Sequence, residues 1–390
     1  MATNIQVLRA AGPARRGIGR SILLTLPIML WSLLMFARPD AGRDLKSNIA
    51  GGITAIFMVL LFFMMMRTGT THRWRRLFFV SVGVLFPIEF IHTVLQMRGT
   101  MGIPIEEMIA GRTPFCFLPI PLLIVPAALT RTVIFPGSIL PGQGMAGDGI
   151  AAMVGIWLAI SLVIGKGWCS YACFFGGIEE GVAAIPKQAK IRKLDPRWHY
   201  LPWAVLLAMV LLSLALFEPA YCMWLCPFKA VSEYVAARNT VGLIQNVIFI
   251  VLFAALVIVL PFMTKKRTQC SFLCPFGAFQ SLFNKISVFD VRIDQDKCRA
   301  CVLCQNACPN MSLTKESVAK GEALMSCIKC GACVDACPRH AVSWHVKGTD
   351  VAWKPERARL MFLYGAWAMA ILFGGSIIAQ GLATILGVFA

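Results

Sequence analysis

The feature that most constrains this 390-residue chain is a cysteine signature that occurs twice near its C-terminal end. Each copy has the spacing C-x2-C-x2-C-x3-C-P, and the second follows the first at a constant offset of 29 positions, as in 298 to 327 and 308 to 337. The eight cysteines are Cys298, Cys301, Cys304, Cys308, Cys327, Cys330, Cys333 and Cys337. Thiolates at this spacing hold three corners of a cubane, and the fourth cysteine of each run binds the other cluster. The signature therefore predicts two [4Fe-4S] clusters.

Three other interpretations of the eight cysteines fit less well. A structural zinc site usually combines paired knuckles or Cys/His mixtures around one tetrahedral ion, whereas neither run contains a histidine. A disulfide framework is typical of short secreted chains rather than of a chain of this length. The constant offset indicates a duplication, which unconnected buried cysteines would not show.

The remainder of the chain has the composition of a membrane protein. Hydrophobic residues make up 58% of the chain and charged residues 14%, and the mean hydropathy is +0.71. Seven apolar stretches can be drawn, most of which approach the roughly 20 residues that cross a bilayer. They are 21–37, 49–66, 77–95, 148–165, 201–218, 243–263 and 360–388. An eighth stretch, 115–130, contains three prolines, which predicts a re-entrant segment packed inside the protein.

The distribution of lysine and arginine predicts the orientation. These residues are most frequent in three segments before or between the predicted helices, 1–20, 67–76 and 166–200. By the positive-inside rule these segments face the cytoplasm, and the eight-cysteine segment lies on the same side. Because the basic residues are spread over several loops, the net charge of +18 reflects membrane topology and does not predict nucleic-acid binding.

A second repeated motif lies in the apolar part of the chain. Three C-x3-C pairs each follow a predicted helix; they are Cys169/Cys173, Cys222/Cys226 and Cys270/Cys274. Residues four apart share one face of a helix, so each pair is expected to present two thiolates to one metal or to form a redox-active pair. A four-thiolate site needs two such pairs.

The predicted topology decides which pairs cooperate. The first and third pairs fall on the cytoplasmic side and are predicted to form a third metal site. Its four thiols are Cys169, Cys173, Cys270 and Cys274. Cys222 and Cys226 are expected to face the opposite compartment, where they bind metal or simply mark a tight turn after a helix. Of the 15 cysteines, only Cys116 lies outside these motifs.

This combination of motifs resembles a known family. Several membrane helices, C-x3-C elements at helix ends and the eight-cysteine segment resemble the membrane polyferredoxins of the NapH, MauN and NosR C-terminal type. The resemblance covers about 150–346 well, with two departures: Phe174 stands where proline is expected, and the Cys222/Cys226 pair is additional. The resemblance implies a polytopic α-helical membrane protein, with about seven transmembrane helices and a re-entrant segment, that carries a small α+β two-cluster ferredoxin domain.

The segment 291–346 is similar to a bacterial two-cluster ferredoxin along its whole length, which implies interlaced ligands. Cys298, Cys301, Cys304 and Cys337 would hold one cluster, and Cys308, Cys327, Cys330 and Cys333 the other. Strands are expected at 291–293 and 341–346. The implied domains are N-terminal membrane helices with the proline-rich segment (1–147), a membrane core with the C-x3-C pairs (148–285), the ferredoxin domain (286–350) and a last transmembrane helix (351–390).

The resemblance also implies an electron-transfer subunit in the bacterial inner membrane, with its ferredoxin domain in the cytoplasm. Such a subunit relays single electrons between the quinone pool or a membrane partner and another redox protein. It would be a component of a quinol dehydrogenase-type oxidoreductase rather than a stand-alone enzyme. The alternative is a CcoG-like assembly factor that reduces copper, in which the C-x3-C cysteines are the working site and the clusters supply the electrons.

One further pair of residues is a candidate for proton or quinone chemistry. Glu89 and His92 are three apart on one helix face, and ionisable groups inside a membrane are costly unless they are functional or paired. They either relay protons at a quinone site or form a satisfied pair that holds helices together. A haem with two histidine ligands is not expected, since His92 alone of the five histidines lies in a predicted helix.

Overall fold

The computed structural model describes residues 16–36, 44–96, 150–191, 194–216, 220–232, 240–350 and 354–388. Within these residues the chain is mainly helical and contains one two-stranded sheet. The N-terminal part consists of three long helices, α1 (Ile18–Phe36), α2 (Leu45–Thr68) and α3 (His72–Gln96). The predicted re-entrant segment 115–130 and Cys116 lie outside the described residues.

The central part is built from shorter helices that follow one another closely. In chain order they are α4 (Ile150–Ile164), α5 (Trp168–Tyr171), α6 (Phe174–Ala184), α7 (Leu201–Leu216), α8 (Ala220–Trp224), α9 (Lys229–Ser232), α10 (Thr240–Leu252), α11 (Leu260–Thr264), α12 (Thr268–Phe272) and α13 (Pro275–Ile286). Short 3-10 segments, Gly165–Gly167 and Pro196–Tyr200, precede α5 and α7. A π-helical segment, Phe253–Val259, joins α10 to α11 without interrupting the helical path.

Several of these helices have the length and composition of membrane spans. Five helical segments of the described residues qualify: Ile18–Phe36, Leu45–Thr68, Arg197–Leu216, Thr240–Thr264 and Pro355–Gly387. A sixth span results if Gly155–Tyr171 and Phe174–Ala184, which are bent by 47° at their junction, form one broken crossing. The chain is therefore a membrane protein with several apolar helices. The count of about seven spans stays a prediction.

Each of the first and third C-x3-C motifs straddles the end of a short helix. Cys169 lies in α5 and Cys270 in α12, whereas Cys173 and Cys274 have extended backbone and precede the next helix. The expectation that both thiols of a pair share one helix face is therefore wrong. In the third motif the reason is Pro275, because proline disfavours a helical conformation in the residue before it. In the first motif the helix also ends before the second cysteine, although the residue after Cys173 is not a proline.

Glycines allow α3 and α6 to cross in backbone contact. A Cβ atom on Gly177 would lie 2.2 Å from the carbonyl oxygen of Phe79, and one on Gly83 would lie 2.5 Å from the backbone nitrogen of Ile178. Small residues permit such close crossings between membrane helices. The crossing places Glu180 of α6 beside Arg75 in the first turn of α3.

The cysteine-rich segment forms a small α+β module. Strands β1 (Phe289–Ile293) and β2 (Val342–Val346) pair antiparallel. Three short helices lie between them, α14 (Leu303–Ala307), α15 (Lys315–Ala319) and α16 (Ala332–Asp335). The side chains of β1 alternate between buried and half-buried, as expected for a strand with one covered face. Both predicted strands are present, and β1 begins at 289 rather than 291.

The last helix packs the module onto the membrane part. Helix α17 (Pro355–Met369) continues through a π-helical segment, Ala370–Gly375, into α18 (Ser376–Val388). Phe362 on α17 is fully buried; its ring centroid lies 5.8 Å from that of Trp344 in β2 and 6.0 Å from that of Tyr171 in α5. One side chain therefore contacts both the sheet of the module and the central helices.

Candidate iron-sulfur sites

The duplicated sequence folds into a duplicated backbone. Left-handed φ angles between 49° and 82° recur at the offset of 29 positions in three pairs, Ala300/Lys329, Val302/Gly331 and Met311/His340. Residues other than glycine adopt this conformation only where the surrounding structure holds them in it. Both cysteine runs therefore wind along the same strained path.

Hydrogen bonds to sulfur repeat at the same offset. The backbone N–H of Ser312 donates to Sγ of Cys308 over 3.2 Å, and that of Ala341 donates to Sγ of Cys337 over 3.3 Å. Hydrogen bonds to the sulfurs are among the contacts by which a protein adjusts the charge and potential of an iron-sulfur cluster. The sulfur of the fourth cysteine in each run therefore accepts the same backbone hydrogen bond.

One cavity of the module is lined by cysteines from both runs. Its volume is about 280 Å³, and its four cysteines are Cys298, Cys301, Cys304 and Cys337. Cys337 belongs to the second run, so the cavity has the interlaced membership that the ferredoxin resemblance implies. Cys301 is exposed, and basic side chains, those of Lys297, Arg299 and Arg339, line the same cavity. The donor set fits a [4Fe-4S] cluster close to the protein surface.

The other four cysteines gather deeper in the protein. Cys330 is 5% exposed and Cys333 is 7% exposed. Burial raises the pKa of the Cys333 thiol well above its usual range, and the neighbouring thiols of Cys327, Cys308 and Cys330 raise it further. Thiolates crowded in this way need compensating positive charge, which bound iron supplies. This set also fits a cluster, and it has no fully exposed member.

Polar contacts fix this deeper set against the central helices. Nδ2 of Asn284 in α13 donates to the carbonyl oxygens of Met325 and Cys327, each over 2.7 Å. Oγ of Ser170 in α5 donates to the carbonyl oxygen of Ile328 over 2.7 Å. The peptide around Cys327 is therefore held by the elements that carry the first and third C-x3-C motifs.

The C-x3-C motifs meet in a second, much smaller cavity. Its volume is about 20 Å³, and five thiols from all three pairs line it: Cys169, Cys173, Cys226, Cys270 and Cys274. We call this the thiol cavity. It brings the first and third pairs together, in the combination that the topology predicts.

The second pair does not lie where the sequence predicts. Cys226 is buried and lines the thiol cavity rather than facing the opposite compartment. The physical reason is that α8 is anchored inside the protein by Tyr221, which is buried and whose hydroxyl accepts a hydrogen bond from Nε2 of Gln269 over 2.8 Å. Cys222 is half-buried and does not line the cavity.

Two buried cations accompany these thiols. Lys166 lines the cavity and its Nζ donates to Oγ of Ser281 over 2.9 Å. Arg267 is fully buried, and its Nη2 donates to Sγ of Cys270 over 3.1 Å. Positive charge beside a thiol favours the thiolate, which is the form that binds metal.

The thiol cavity does not have the geometry of a site for a single metal ion. In the part of the chain that the structure describes, no three His, Cys, Asp or Glu side chains converge as such a site requires. The cavity of about 20 Å³ holds roughly one water molecule and is smaller than a cubane. It is therefore a tight group of thiols, whereas the larger cavity of the module has room for a cluster.

Sequence reasoning missed the buried charged residues around the thiols. These are Arg75, Lys166, Glu179, Glu180 and Arg267. In the sequence, only the two adjacent glutamates indicated this group. Carboxylates that follow an apolar membrane stretch so closely are usually functional or paired. The cations had no separate signal, since they lie in segments whose basic residues already fit the positive-inside pattern.

Of the predicted pair Glu89 and His92, the described side chain of Glu89 is not part of the cysteine sites. Both residues lie on α3, where Glu89 is half-buried and the side chain of His92 is outside the described part. Glu89 lines neither of the two cysteine cavities. A quinone or proton site at this pair stays a prediction.

Comparisons with known protein families agree with the cysteine sites. A 4Fe-4S dicluster domain matches residues 290–338. A 4Fe-4S binding domain matches three segments, 147–193, 200–243 and 246–294, each of which contains one C-x3-C pair. No solved structure matches the chain.

Relatives come from archaea and bacteria. The chain is 26% identical over 230 residues to an uncharacterised protein of Methanocaldococcus jannaschii, a match that covers 55% of this chain and 81% of the relative. It is 25% identical over 235 residues to YccM of Escherichia coli, which is named as a putative electron transport protein. This match covers 57% of this chain and 61% of YccM. It is 26% identical over 180 residues to the ferredoxin-type protein NapH of Haemophilus influenzae, a match that covers 44% of this chain and 59% of NapH. The chain therefore spans less than two thirds of YccM and of NapH.

The apolar helices and the two kinds of 4Fe-4S domain define this chain as an iron-sulfur membrane protein. The domain matches and the relatives support a family of the membrane polyferredoxin type, and the resemblance seen in the sequence is confirmed.

Proposed function

We propose that this chain relays single electrons between a membrane redox component, either the quinone pool or a partner subunit, and another redox protein. The observation that carries this proposal is the placement of the two cysteine sets. The deeper set packs against the central helices, and the other opens at the surface through Cys301. The relatives YccM and NapH, named for electron transport and as a ferredoxin-type protein, support the same role.

The ligands of the two clusters interlace the cysteine runs. Cluster 1 is bound by Cys298, Cys301, Cys304 and Cys337, and cluster 2 by Cys308, Cys327, Cys330 and Cys333. The shared cavity supports the first assignment, and the mutual proximity of the thiols supports the second. When bound, each cluster accepts and releases one electron at a time. The residues of the chain hold the clusters, shield the deeper one from water and expose the other.

The placement of these residues gives the protein a membrane side and a partner side. Asn284 and Ser170 hold the peptide of cluster 2 at the helices, whereas Cys301 reaches the surface where a second protein can dock. We place the ferredoxin module in the cytoplasm, which is supported by the basic residues of the neighbouring segments 67–76 and 166–200.

The first and third C-x3-C pairs are proposed as a third metal centre. The family matches at 147–193 and 246–294, and the cations Lys166 and Arg267, support metal binding at these thiols. The cavity must widen to admit a cluster. Iron content decides the matter, because two [4Fe-4S] clusters require about eight iron atoms per chain and three require about twelve.

Iron and sulfide analysis, combined with low-temperature EPR of the anaerobically purified protein, tests the proposal. We expect at least about eight iron atoms per chain and signals from reduced [4Fe-4S] clusters. Cys301→Ser and Cys330→Ser should each remove or alter the signal of one cluster and leave the other. Cys116→Ser, which changes a cysteine outside every motif, is the matched control and should retain both. A chain with no reducible [4Fe-4S] signal would refute the relay.

The thiol cavity favours a second candidate function. Five thiols line one buried cavity, and Cu(I) prefers thiolate ligands; because no three of these side chains converge on one point in the structure, the thiols must move closer together to bind the ion. In a CcoG-like assembly role, Cu(II) would take one electron from a reduced cluster and be held by these thiols as Cu(I). Cluster oxidation by Cu(II) that disappears in the Cys270→Ser/Cys274→Ser variant supports this role. Cluster oxidation at the same rate in that variant argues against it, and rapid exchange of electrons with a quinol analogue supports the relay.

A further inference from the structure

A buried arginine connects the peptide of cluster 2 to the thiol cavity. Arg75, in the first turn of α3, is fully buried. Its Nε donates to the carbonyl oxygen of Cys330 over 3.2 Å, and its Nη1 donates to the carbonyl oxygen of Ser170 over 2.8 Å. Ser170 follows Cys169 directly. One guanidinium group therefore contacts both a cysteine of cluster 2 and the neighbour of a cysteine of the thiol cavity.

Arg267 makes a second connection between the same two sites: its side chain contacts the thiol cavity, and its backbone contacts the peptide of cluster 2. Its Nη2 donates to the carbonyl oxygen of Cys169 over 2.9 Å as well as to the sulfur of Cys270. Its backbone N–H donates to the carbonyl oxygen of Pro309, the residue after Cys308, over 2.8 Å. The guanidinium occupies space that only glycine leaves free, because a Cβ atom on Gly176 would lie 1.7 Å from Nη2.

Two glutamates of α6 complete the arrangement. Glu180 forms an ion pair with Arg75, and its Oε2 lies 3.9 Å from Nη1 of Arg267. Glu179 accepts hydrogen bonds from the backbone N–H groups of Gln269, over 2.6 Å, and Cys270, over 3.2 Å. We call Arg75, Glu179, Glu180 and Arg267 the charge bridge. It contains two arginines and two glutamates, and burying four ionisable groups is costly and by itself is weak support for a purely stabilising role.

We propose that Arg75, supported by the other members of the charge bridge, is a positioning residue for electron transfer, which holds the peptide of cluster 2 at the thiol cavity and makes cluster 2 easier to reduce. This inference rests on the proposed function, since it assumes that both clusters are present. Reduction adds one negative charge, and a guanidinium that stays ionised stabilises that charge strongly in a buried site. Arg75 contacts the Cys330 peptide directly, whereas Glu180 reaches it through Arg75, so the positive charge has the larger effect there.

Redox titration of the full chain, followed by low-temperature EPR, measures this effect. In the double variant Arg75→Gln/Glu180→Gln one positive and one negative charge are removed together, so that no unpaired carboxylate stays buried. Arg75→Lys keeps the positive charge and loses the forked hydrogen bonds. Arg359→Gln is the matched control: Arg359 is also buried, at 6% exposure, but its side chain donates to Thr71 and Met65 and to no cysteine.

We expect the potential of cluster 2 to fall in the double variant while that of cluster 1 stays unchanged. Arg75→Lys should retain most of the potential, and Arg359→Gln should leave both potentials as in the wild type. Loss of cluster 2 iron alone in the double variant, with cluster 1 retained, also supports a positioning role.

Three results would overturn the inference. They are unchanged potentials in the double variant, a parallel shift or loss of both clusters, or the same effect in Arg359→Gln. A wild-type chain without reducible clusters would instead overturn the proposed function. EPR of the wild type shows this before any variant is made.

Discussion

The side-chain amine of Lys329 donates a hydrogen bond to the backbone carbonyl oxygen of Ile164 over 3.0 Å. Ile164 is the last residue of α4, and Lys329 lies between Cys327 and Cys330 of the deeper cysteine set. The last carbonyl groups of a helix have no partner within it, and a buried side-chain donor placed there satisfies one of them. This bond therefore joins the carboxyl end of an apolar helix to the ferredoxin module.

Replacing Lys329 by methionine should loosen the module. Lys329 is 2% exposed, and its amine also donates to Oγ of Ser287 over 2.9 Å, so the variant leaves acceptors without their donor. Such a loss costs about 1–3 kcal/mol. Thermal unfolding in detergent should show a lower midpoint, whereas Lys320→Met, at an exposed position of the same module, should unfold like the wild type. Equal midpoints for both variants would contradict this role of Lys329.

Replacing Gly177 by alanine should separate α3 from α6. The added Cβ would lie 2.2 Å from a backbone oxygen of Phe79, which cannot move aside as a flexible side chain can. Overpacking of this kind costs about 1–3 kcal/mol. The matched change Gly155→Ala meets nothing within 4 Å and should leave stability unchanged or raise it by up to about 1 kcal/mol. The two unfolding midpoints, measured side by side, decide whether the crossing is as close as described.

Replacing Asn284 by alanine should make cluster 2 labile. The variant removes both hydrogen bonds to the carbonyl oxygens of Met325 and Cys327, and with them the direct link from α13 to the cluster-2 peptide. We expect faster loss of the cluster-2 EPR signal on storage or exposure to air, with cluster 1 unaffected. Asn306→Ala, an exposed asparagine of the module, provides the control. A cluster-2 signal as durable as in the control would show that the link is dispensable.

Removal of iron by a chelator should proceed in a fixed order. Cys301 of cluster 1 is exposed, whereas the cysteines of cluster 2 are buried or half-buried, so a water-soluble chelator reaches cluster 1 first. Successive EPR spectra during incubation should therefore lose the signal assigned by Cys301→Ser before that assigned by Cys330→Ser. The reverse order would mean that the deeper set is the more accessible one.

The cluster module was predictable because its information is local. The spacing of each run predicts which thiols share a cluster, and the offset of 29 positions that is visible in the sequence reappears in the left-handed residues and in the hydrogen bonds to Cys308 and Cys337. The strands flanking the cysteines follow from short apolar stretches. Apolar composition likewise predicted the membrane helices, although not their number.

The thiol cavity was only partly predictable, because it depends on contacts between distant segments. Helix geometry placed both thiols of a pair on one face, whereas the chain breaks before Cys173 and Cys274 and redirects the second thiol. The position of Cys226 depends on Tyr221 reaching Gln269, 48 positions further along the chain. A topology predicted from the number of crossings and the charges of the loops contains no information about such a contact.

In the proposed relay, cluster 2 lies between the membrane core and cluster 1. The most direct test uses the full chain in lipid vesicles, reduced with dithionite, freed of excess reductant and mixed with a long-tailed quinone confined to the bilayer. Freeze-quenched samples then report by EPR how quickly each cluster is reoxidised. We expect the wild type to lose both reduced signals, whereas in Cys330→Ser cluster 1 should stay reduced because its connection to the membrane side is missing. Reoxidation of cluster 1 in that variant as fast as in the wild type would rule out this order of the two clusters.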